Sequence, residues 1–152
     1  MYNLSEKNIT NILEKLREHT GISSSFLFTE EGFIIAIDEA NFNEDEESFQ
    51  SIAAICAGVI SLAESGLNIV KDEIILKQIK IQAGNQLDDT GFMIIIQSIT
   101  NEIIISVIFP IYLNLGLVMF ELNQTIYKLG NYFARATRIN YLEDLNSLVK
   151  QS

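Results

Sequence analysis

The sequence predicts an α+β domain in which one largely antiparallel, five-stranded sheet lies between helix layers. Three observations indicate this class. An apolar stripe with helical spacing opens the chain, five short β-prone runs follow with an apolar helix between the second and the third, and helical spacing returns near the C-terminus. The expected order is α-β-β-α-β-β-β-α, in a chain whose 152 residues suit a single domain.

The first helix is predicted from one apolar stripe and a capping signal. Asn3 or Ser5 suits the N-cap position, and Glu6 stands three residues after Asn3, as in a capping box. The helix is expected to end near Gly21. Its stripe recurs at helical spacing: Ile9, Ile12, Leu13 and Leu16.

A hairpin and a second helix follow. The runs "ISSSFLF" and "FIIAI" flank the turn "TEEG", which Gly32 closes. Asn43 and Glu46 form a cap pair for the second helix, and acidic residues fill its first turn. Because carboxylates there meet the positive end of the helix dipole, the acidic run needs no catalytic explanation.

Three further strands and a last helical region complete the predicted order. The strands are expected in "EIILKQIKIQ", "GFMIIIQSI" and "EIIISVIF", after the second helix ends near Gly66. Asp88 and Asp89 are interpreted as turn residues. The last helix is expected to begin near Asn114, run toward Leu129 and be interrupted at Gly130. We therefore divide the chain into a domain, 1–130, and a C-terminal helical extension, 131–152.

Composition argues against several classes of partner. The net charge of −10 repels phosphate backbones and anionic lipid head groups, so nucleic-acid binding and direct membrane insertion are not expected. The single cysteine cannot form an internal disulfide, and "MYNLSEKNIT" does not resemble a signal sequence. A cytoplasmic location is the expectation.

One apolar stretch, 103–120, competes for a membrane interpretation. It is nearly long enough to span a bilayer. However, Pro110 lies in its middle and is followed by Asn114 and Gly116, a pattern typical of a strand, a turn and a helix start. A buried strand followed by a buried helix is the favoured interpretation.

The second helix has more apolar surface than packing on one sheet requires. The stripe expected to face the sheet comprises Ile52, Ile55, Cys56, Val59, Ile60 and Ala63. A second stripe contains only small residues: Ala54, Ala57, Gly58, Ser61 and Ser65. Gly58 costs about 1 kcal/mol relative to alanine inside a helix, which indicates a packing reason. We interpret this stripe as an isologous homodimer contact; the alternative is that the first or last helix of the same chain covers it.

Three segments in order resemble the roadblock/dynein light chain (roadblock/LC7) family. They are "TGISSSFLFTEEGFIIA" (20–36), "IAAICAGVISLAE" (52–64) and "YLNLGLVMFEL" (112–122), with three predicted strands between the last two. The resemblance covers roughly residues 5–128. Longin-like domains share a related sheet but lack the opening helix, so they rank second.

The resemblance implies a non-enzymatic dimer whose sheets and central helices join across a two-fold axis. Such dimers are platforms or regulators of small Ras-like GTPases, or adaptors in motor and membrane-signalling complexes. Bacterial members of similar size can act as GTPase-activating partners of a polarity GTPase. The implied partners are therefore a second copy of the chain and a small Ras-like GTPase, with no cofactor. A purely structural dimer within a larger assembly is the alternative.

The usual signatures of catalysis are missing from the sequence. It contains neither a GxxxxGK[ST] loop nor any Gly-x-Gly, so we do not expect the chain to be the GTPase. His19 is the only histidine, and its place in the last turn of a helix favours a structural role. Cys56 falls on an apolar stripe and is interpreted as an inert core thiol. An enzyme that uses carboxylates alone is left as the least favoured alternative.

Charged side chains outside the apolar stripes are mostly assigned to solvent. The acids expected in a solvated loop and helix cap do not follow the spacing of a calcium loop: Asp38, Glu39, Glu44, Asp45, Glu46 and Glu47. Arg135 and Arg138 are candidates for binding a partner, or else ordinary surface charges. Beside them runs an apolar stripe that packs on the domain or docks on a partner: Ile139, Leu142, Leu145 and Val149.

Overall fold

The computed structural model describes residues 2–40, 46–73, 75–84 and 90–151. They fold in the predicted order, α-β-β-α-β-β-β-α. The elements are α1 (Tyr2–Thr20), β1 (Ser24–Thr29), β2 (Ile34–Glu39), α2 (Glu46–Val70), β3 (Gln78–Gly84), β4 (Gly91–Ser98), β5 (Ile103–Pro110) and α3 (Leu115–Gln151).

The five strands form one antiparallel sheet with the order β2-β1-β5-β4-β3. Strand β5 lies at the centre, where it pairs with β1 and β4, and β3 is an edge strand. Because side chains alternate along a strand, each strand supplies both faces of the sheet. On β1, Leu27 joins the cluster under α1 and α3, whereas Phe26 and Phe28 join the cluster under α2.

The main core lies between the sheet and the pair α1/α3. Leu13 and Leu16 of α1 are buried there together with Leu122 and Leu129 of α3. Tyr132 and Phe133 of α3 pack against the edge of the same core and contact each other edge to face. Core contacts of α3 therefore extend a turn past Gly130.

Several predicted boundaries were wrong. Helix α1 begins at Tyr2, ahead of both proposed caps, and α2 continues past Gly66 to Val70. The predicted interruption at Gly130 is absent, because α3 is one continuous helix. A glycine inside a helix costs only about 1 kcal/mol, and the apolar contacts on either side of Gly130 offset that cost. The proposed cap Asn43 and the turn residues Asp88 and Asp89 lie outside the described residues.

The turn between β1 and β2 holds the hairpin against α2. Gly32 has a φ of +92°, a conformation that glycine adopts without strain. A Cβ at Gly32 would lie 3.0 Å from the Ala54 Cα, so the two backbones are in close approach. In addition, the Gln50 side chain donates a hydrogen bond of 2.7 Å to the Gly32 carbonyl oxygen.

The stretch 103–120 is a strand followed by a helix, as the sequence favoured. It contains all of β5 and the start of α3, and the Asn114 Oδ1 atom accepts a hydrogen bond from the Leu117 N–H at 3.2 Å. Asn114 is thus the N-cap of α3.

Among the described residues one helix, α2, is long and apolar enough to cross a membrane by length and composition. Its most apolar stretch has a mean hydropathy of 1.7, and only 17% of that stretch is buried within the chain. A helix that packs one side on a sheet and offers the other to a protein partner meets the same criteria. The arrangement of α2 on the sheet is therefore what decides its interpretation.

Candidate interaction surfaces on helices α2 and α3

The inner side of α2 packs on the sheet through a narrow line of residues. Phe49, Ala53 and Cys56 are buried against Phe26 and Phe28 of β1. The rings of Phe26 and Phe49 meet edge to face at a centroid distance of 5.8 Å. Small residues at 53 and 56 bring the helix close to the strands.

The opposite side of α2 is apolar and uncovered. We define the outer face of α2 as Ala54, Ile55, Gly58, Ser61, Leu62, Ser65 and Ile69, which share one side of a helix with 100° per residue. Ile55, Leu62 and Ile69 are 66%, 76% and 87% exposed. No charged residue occurs in α2 between Glu47 and Glu64. An exposed face of this kind is typical of a protein interface.

The structure separates the residues of the predicted small stripe. Ala57 is buried and faces the domain, whereas Ala54, Gly58, Ser61 and Ser65 are exposed. The close approach of Gly32 gives Ala54 a reason to be small within its own chain. At Gly58 a Cβ would meet nothing within 4 Å, so no contact among the described residues explains that glycine.

The aliphatic half of the outer face was missed. Ile55 was placed on the sheet-facing stripe, and this is wrong because its side chain is 66% exposed. Leu62 and Ile69 were not singled out, although their spacing of seven residues from Ile55 and from each other is visible in the sequence. The outer face therefore has two halves, with a line of large aliphatic residues beside a line of small ones.

Cys56 lies on the inner side of α2, between the helix and the sheet, and is shielded from solvent. Burial raises the pKa of its thiol; the nearby Ser106 hydroxyl opposes this in smaller part but makes no hydrogen bond of ordinary geometry. Because the folded state disfavours the thiolate, the contribution of Cys56 to stability is full below the ordinary thiol pKa of about 8.5 and is lost as the pH rises above it.

We expect the Cys56 thiol of the native protein to resist alkylation. At pH 8, iodoacetamide should label the folded chain roughly a thousandfold or more slowly than the chain in denaturant, because labelling has to await rare opening. Mass spectrometry against time measures both rates on the chain's single cysteine. Complete labelling of the folded protein at the denatured rate would contradict the inert-thiol interpretation.

An open groove of about 300 Å³ borders the inner side of α2 near the β1–β2 turn. Its lining includes Glu30, Glu31 and Glu64 beside Ala57 and Ile104. In the described part of the chain, the acidic, histidine and cysteine side chains form no group of three or more that could hold a metal ion. The groove adds negative charge beside the outer face of α2.

One of the acids assigned to solvent is buried. Asp38 is only 8% exposed and accepts a 2.8 Å hydrogen bond from the Arg17 Nε atom and a 3.4 Å one from Nη2, so its assignment to a solvated loop was wrong. The hydrogen bond to Asp38 raises the pKa of Arg17. The pair joins the end of α1 to the edge strand β2. Sequence reasoning missed it because the two residues are 21 positions apart on elements of different period.

His19 contacts the last helix. Its Nδ1 atom lies 3.4 Å from a carboxylate oxygen of Glu121, and the imidazole is largely exposed. A contact of this length at the surface adds little to stability. The position in the last turn of α1 is that predicted from the sequence.

The end of α3 carries the residues predicted to bind a partner. Beyond Phe133 the helix leaves the core, and we call residues 134–151 the overhang. All five predicted residues are exposed on it: Arg135, Arg138, Ile139, Leu142 and Leu145. Val149 of the same stripe is 71% exposed, so within this chain the stripe does not pack on the domain. The domain boundary at 130 and the binding role stay predictions.

Comparison with solved structures identifies the fold. The gliding protein MglB from Thermus thermophilus has a TM-score of 0.71 at 17% identity, covering 84% of this chain and 90% of that one. Myxococcus xanthus MglB has a TM-score of 0.71 at 20% identity, covering 84% and 96%. A roadblock/LC7 domain from Streptomyces avermitilis has a TM-score of 0.68 at 14% identity, covering 82% and 97%. No family model and no curated protein matches the sequence.

At these identities the likeness shows the fold. The chain has the fold of the roadblock/LC7 domain, as the resemblance in the sequence led us to expect. The overhang is the part that continues beyond the core.

Proposed function

We propose that this chain is a non-enzymatic, homodimeric regulator or scaffold of a small Ras-like GTPase. The observation that carries the proposal is the outer face of α2, which is large, aliphatic, uncharged and uncovered, on a roadblock/LC7 fold. The family resemblance supplies the class of partner.

The outer face of α2 suits a second copy of itself. Gly58 lies near its middle, the line of large residues Ile55, Leu62 and Ile69 runs on one side, and the small residues run on the other. When two such helices pack antiparallel about a two-fold axis, each line lies over its own copy, so the large residues of the two copies meet and the small residues let the two backbones approach. The contact is isologous and buries the large residues of both copies against each other.

The free energy gained by packing the two α2 helices together is not enough by itself to hold a stable dimer. Full burial of Ile55, Leu62 and Ile69 from both copies gains roughly 1.5–3 kcal/mol per side chain. Association costs roughly 4–15 kcal/mol in lost freedom, so these six side chains about offset that cost. The edge strand β3 and the exposed ring of Phe92 on the same sheet face offer the additional contacts. Joined sheets, which the resemblance implies, supply them.

The nucleotide belongs to the partner in this proposal. The chain has no phosphate-binding loop, and its net charge of −10 disfavours a phosphate ligand. A rigid two-fold platform acts instead by holding the switch segments of a GTPase, and the cytoplasm is where such a partner is met. A purely structural dimer would show no preference for either nucleotide state.

The proposal predicts nucleotide-dependent binding. The immobilised full chain should retain at least one member of a panel of Ras-like GTPases. Retention of that GTPase should differ at least about tenfold between its form loaded with a GTP analogue and its form loaded with GDP. Gly58→Leu tests whether retention needs the α2 contact, and Gly58→Ala is its matched control. Retention of no GTPase, or equal retention in both nucleotide states, would contradict the regulatory role.

A further inference from the structure

The solvent side of α3 carries a second line of residues with apolar ends and a mixed middle, separate from the outer face of α2. We call it the α3 seam, and each of its positions is exposed: Leu117, Phe120, Gln124, Tyr127, Asn131, Ala134, Arg138, Tyr141, Leu145 and Leu148. Phe120, Tyr127 and Tyr141 on it are 60%, 71% and 63% exposed. Alternation of three and four residues is the spacing of a coiled-coil seam.

The α3 seam points away from the domain. The buried residues of α3, Val118, Leu122, Thr125 and Leu129, lie nearly opposite to it on a helix with 100° per residue. In the part of the chain that the structure describes, the seam is therefore open both where α3 lies on the core and along the overhang. At 1.5 Å per residue it is roughly 47 Å long, more than four heptads, which is sufficient for a coiled coil.

The two ends of the seam complement each other. In one antiparallel register with a second α3, Leu117 lies against the partner's Leu148. The same register places Phe120 against the partner's Leu145. Each contact occurs twice by symmetry, so both apolar ends of both helices are covered.

The middle of the seam is mixed in the same register, with Asn131 against the partner's Ala134 at its centre and aromatic rings paired with polar side chains on either side. Tyr127 lies against the partner's Arg138, a pairing that allows a cation–π contact. Gln124 lies against the partner's Tyr141, which offers a hydroxyl to the amide. A parallel, in-register pair would instead place Arg138 against its own copy. The sequence of the seam thus favours the antiparallel pair.

We propose that the α3 seam binds the α3 seam of a second copy, antiparallel, as a contact distinct from the α2 dimer. The six aromatic rings of the pair are of a class that buries about 150–250 Å² each, so covering half of their area approaches the roughly 1,000 Å² of a stable interface once the leucines are added. With α2 and α3 on opposite faces of the sheet, one chain can use both contacts.

Charge gives the seam contact a distinctive salt dependence. Lys128 and Arg135 lie along one flank of the seam and come together in the antiparallel pair. Because salt screens this repulsion and that between two acidic chains, association through the seam should strengthen as salt is raised. Docking of Lys128 and Arg135 on an acidic partner would instead weaken as salt is raised.

The test removes the α2 contact first. In full-length Gly58→Leu, sedimentation should still show a reversible dimer, and adding Leu145→Glu with Leu148→Glu should weaken its association by roughly thirtyfold or more, the size of a hot-spot loss. The matched control is Asn140→Glu with Ser147→Glu, which adds the same charge to the opposite side of the overhang and should change nothing. Gly58→Leu that is monomeric at every concentration, or equal loss in the control, would overturn the seam contact without touching the α2 proposal.

Cross-linking tests the orientation. Mixed single variants Leu117→Cys and Leu148→Cys should form a disulfide between copies under mild oxidation, since the register brings these positions together. A Leu148→Cys variant that links only to itself would overturn the antiparallel register. A Gly58→Leu chain that stays monomeric but binds the GTPase would assign the overhang to that partner instead.

Discussion

Gly58→Leu should break the α2 contact and leave the domain folded. A Cβ at this position would have no described atom within 4 Å outside its own turn of the helix, and replacing the glycine removes its roughly 1 kcal/mol cost inside a helix. Between two helices in close approach, added bulk costs about 1–3 kcal/mol per site, and a two-fold contact contains the site twice. Association should therefore weaken by roughly thirtyfold or more.

Two measurements on Gly58→Leu separate its effects. Sedimentation over a concentration series, in chains that also carry Leu145→Glu and Leu148→Glu to block the α3 seam, gives the dissociation constant of the α2 contact, and circular dichroism gives the helix content. Gly58→Ala is the matched control, because it improves the helix with little added bulk. If Gly58→Leu in this background associates as tightly as the same chain with Gly58, the α2 contact does not pass over Gly58.

Arg17→Ala should cause the larger loss of stability among variants of the ion pair. Removing the guanidinium leaves the Asp38 carboxylate, which is only 8% exposed, without its principal partner. Loss of one partner of a fully buried pair costs about 3–5 kcal/mol, and the 26% exposure of Arg17 lowers our expectation to about 2–3 kcal/mol. Asp38→Ala should cost less, about 1 kcal/mol, because the freed arginine can reach water.

Urea unfolding at one fixed protein concentration measures this difference, since association would otherwise shift the midpoint. Lys15→Ala is the matched control: it removes the same charge from an exposed position on the same helix and should stay within about 0.5 kcal/mol of the unmodified chain. Equal effects for Arg17→Ala and Lys15→Ala would show that the ion pair contributes nothing.

Periodicity predicted the elements because each carries its pattern locally. The hairpin, the three later strands and the order of the helices follow from spacing and turn residues alone. The predicted helix boundaries were wrong where tertiary packing outweighed a local sequence signal. Gly130 is a helix-breaking signal in isolation, yet Leu129 is buried and the next two aromatic residues pack on the core, so the helix continues.

The candidate surface was predicted only in part because orientation is set by tertiary contacts. Both lines of α2 have helical spacing, and nothing local says which side meets the sheet. The packing of Phe49, Ala53 and Cys56 on the sheet fixes the orientation of the helix, which places Ile55 outward and Ala57 inward. The Arg17–Asp38 pair had no sequence signal, since only the fold brings α1 and β2 together.

The mass of a seam-blocked chain tests the central claim most directly. Full-length protein with Leu145→Glu and Leu148→Glu has only the outer face of α2 left for self-association. Light scattering at micromolar concentration should give about twice the 17.1 kDa of one chain. A mass of 17.1 kDa under those conditions would contradict the homodimer and remove the platform on which the proposed GTPase regulation depends.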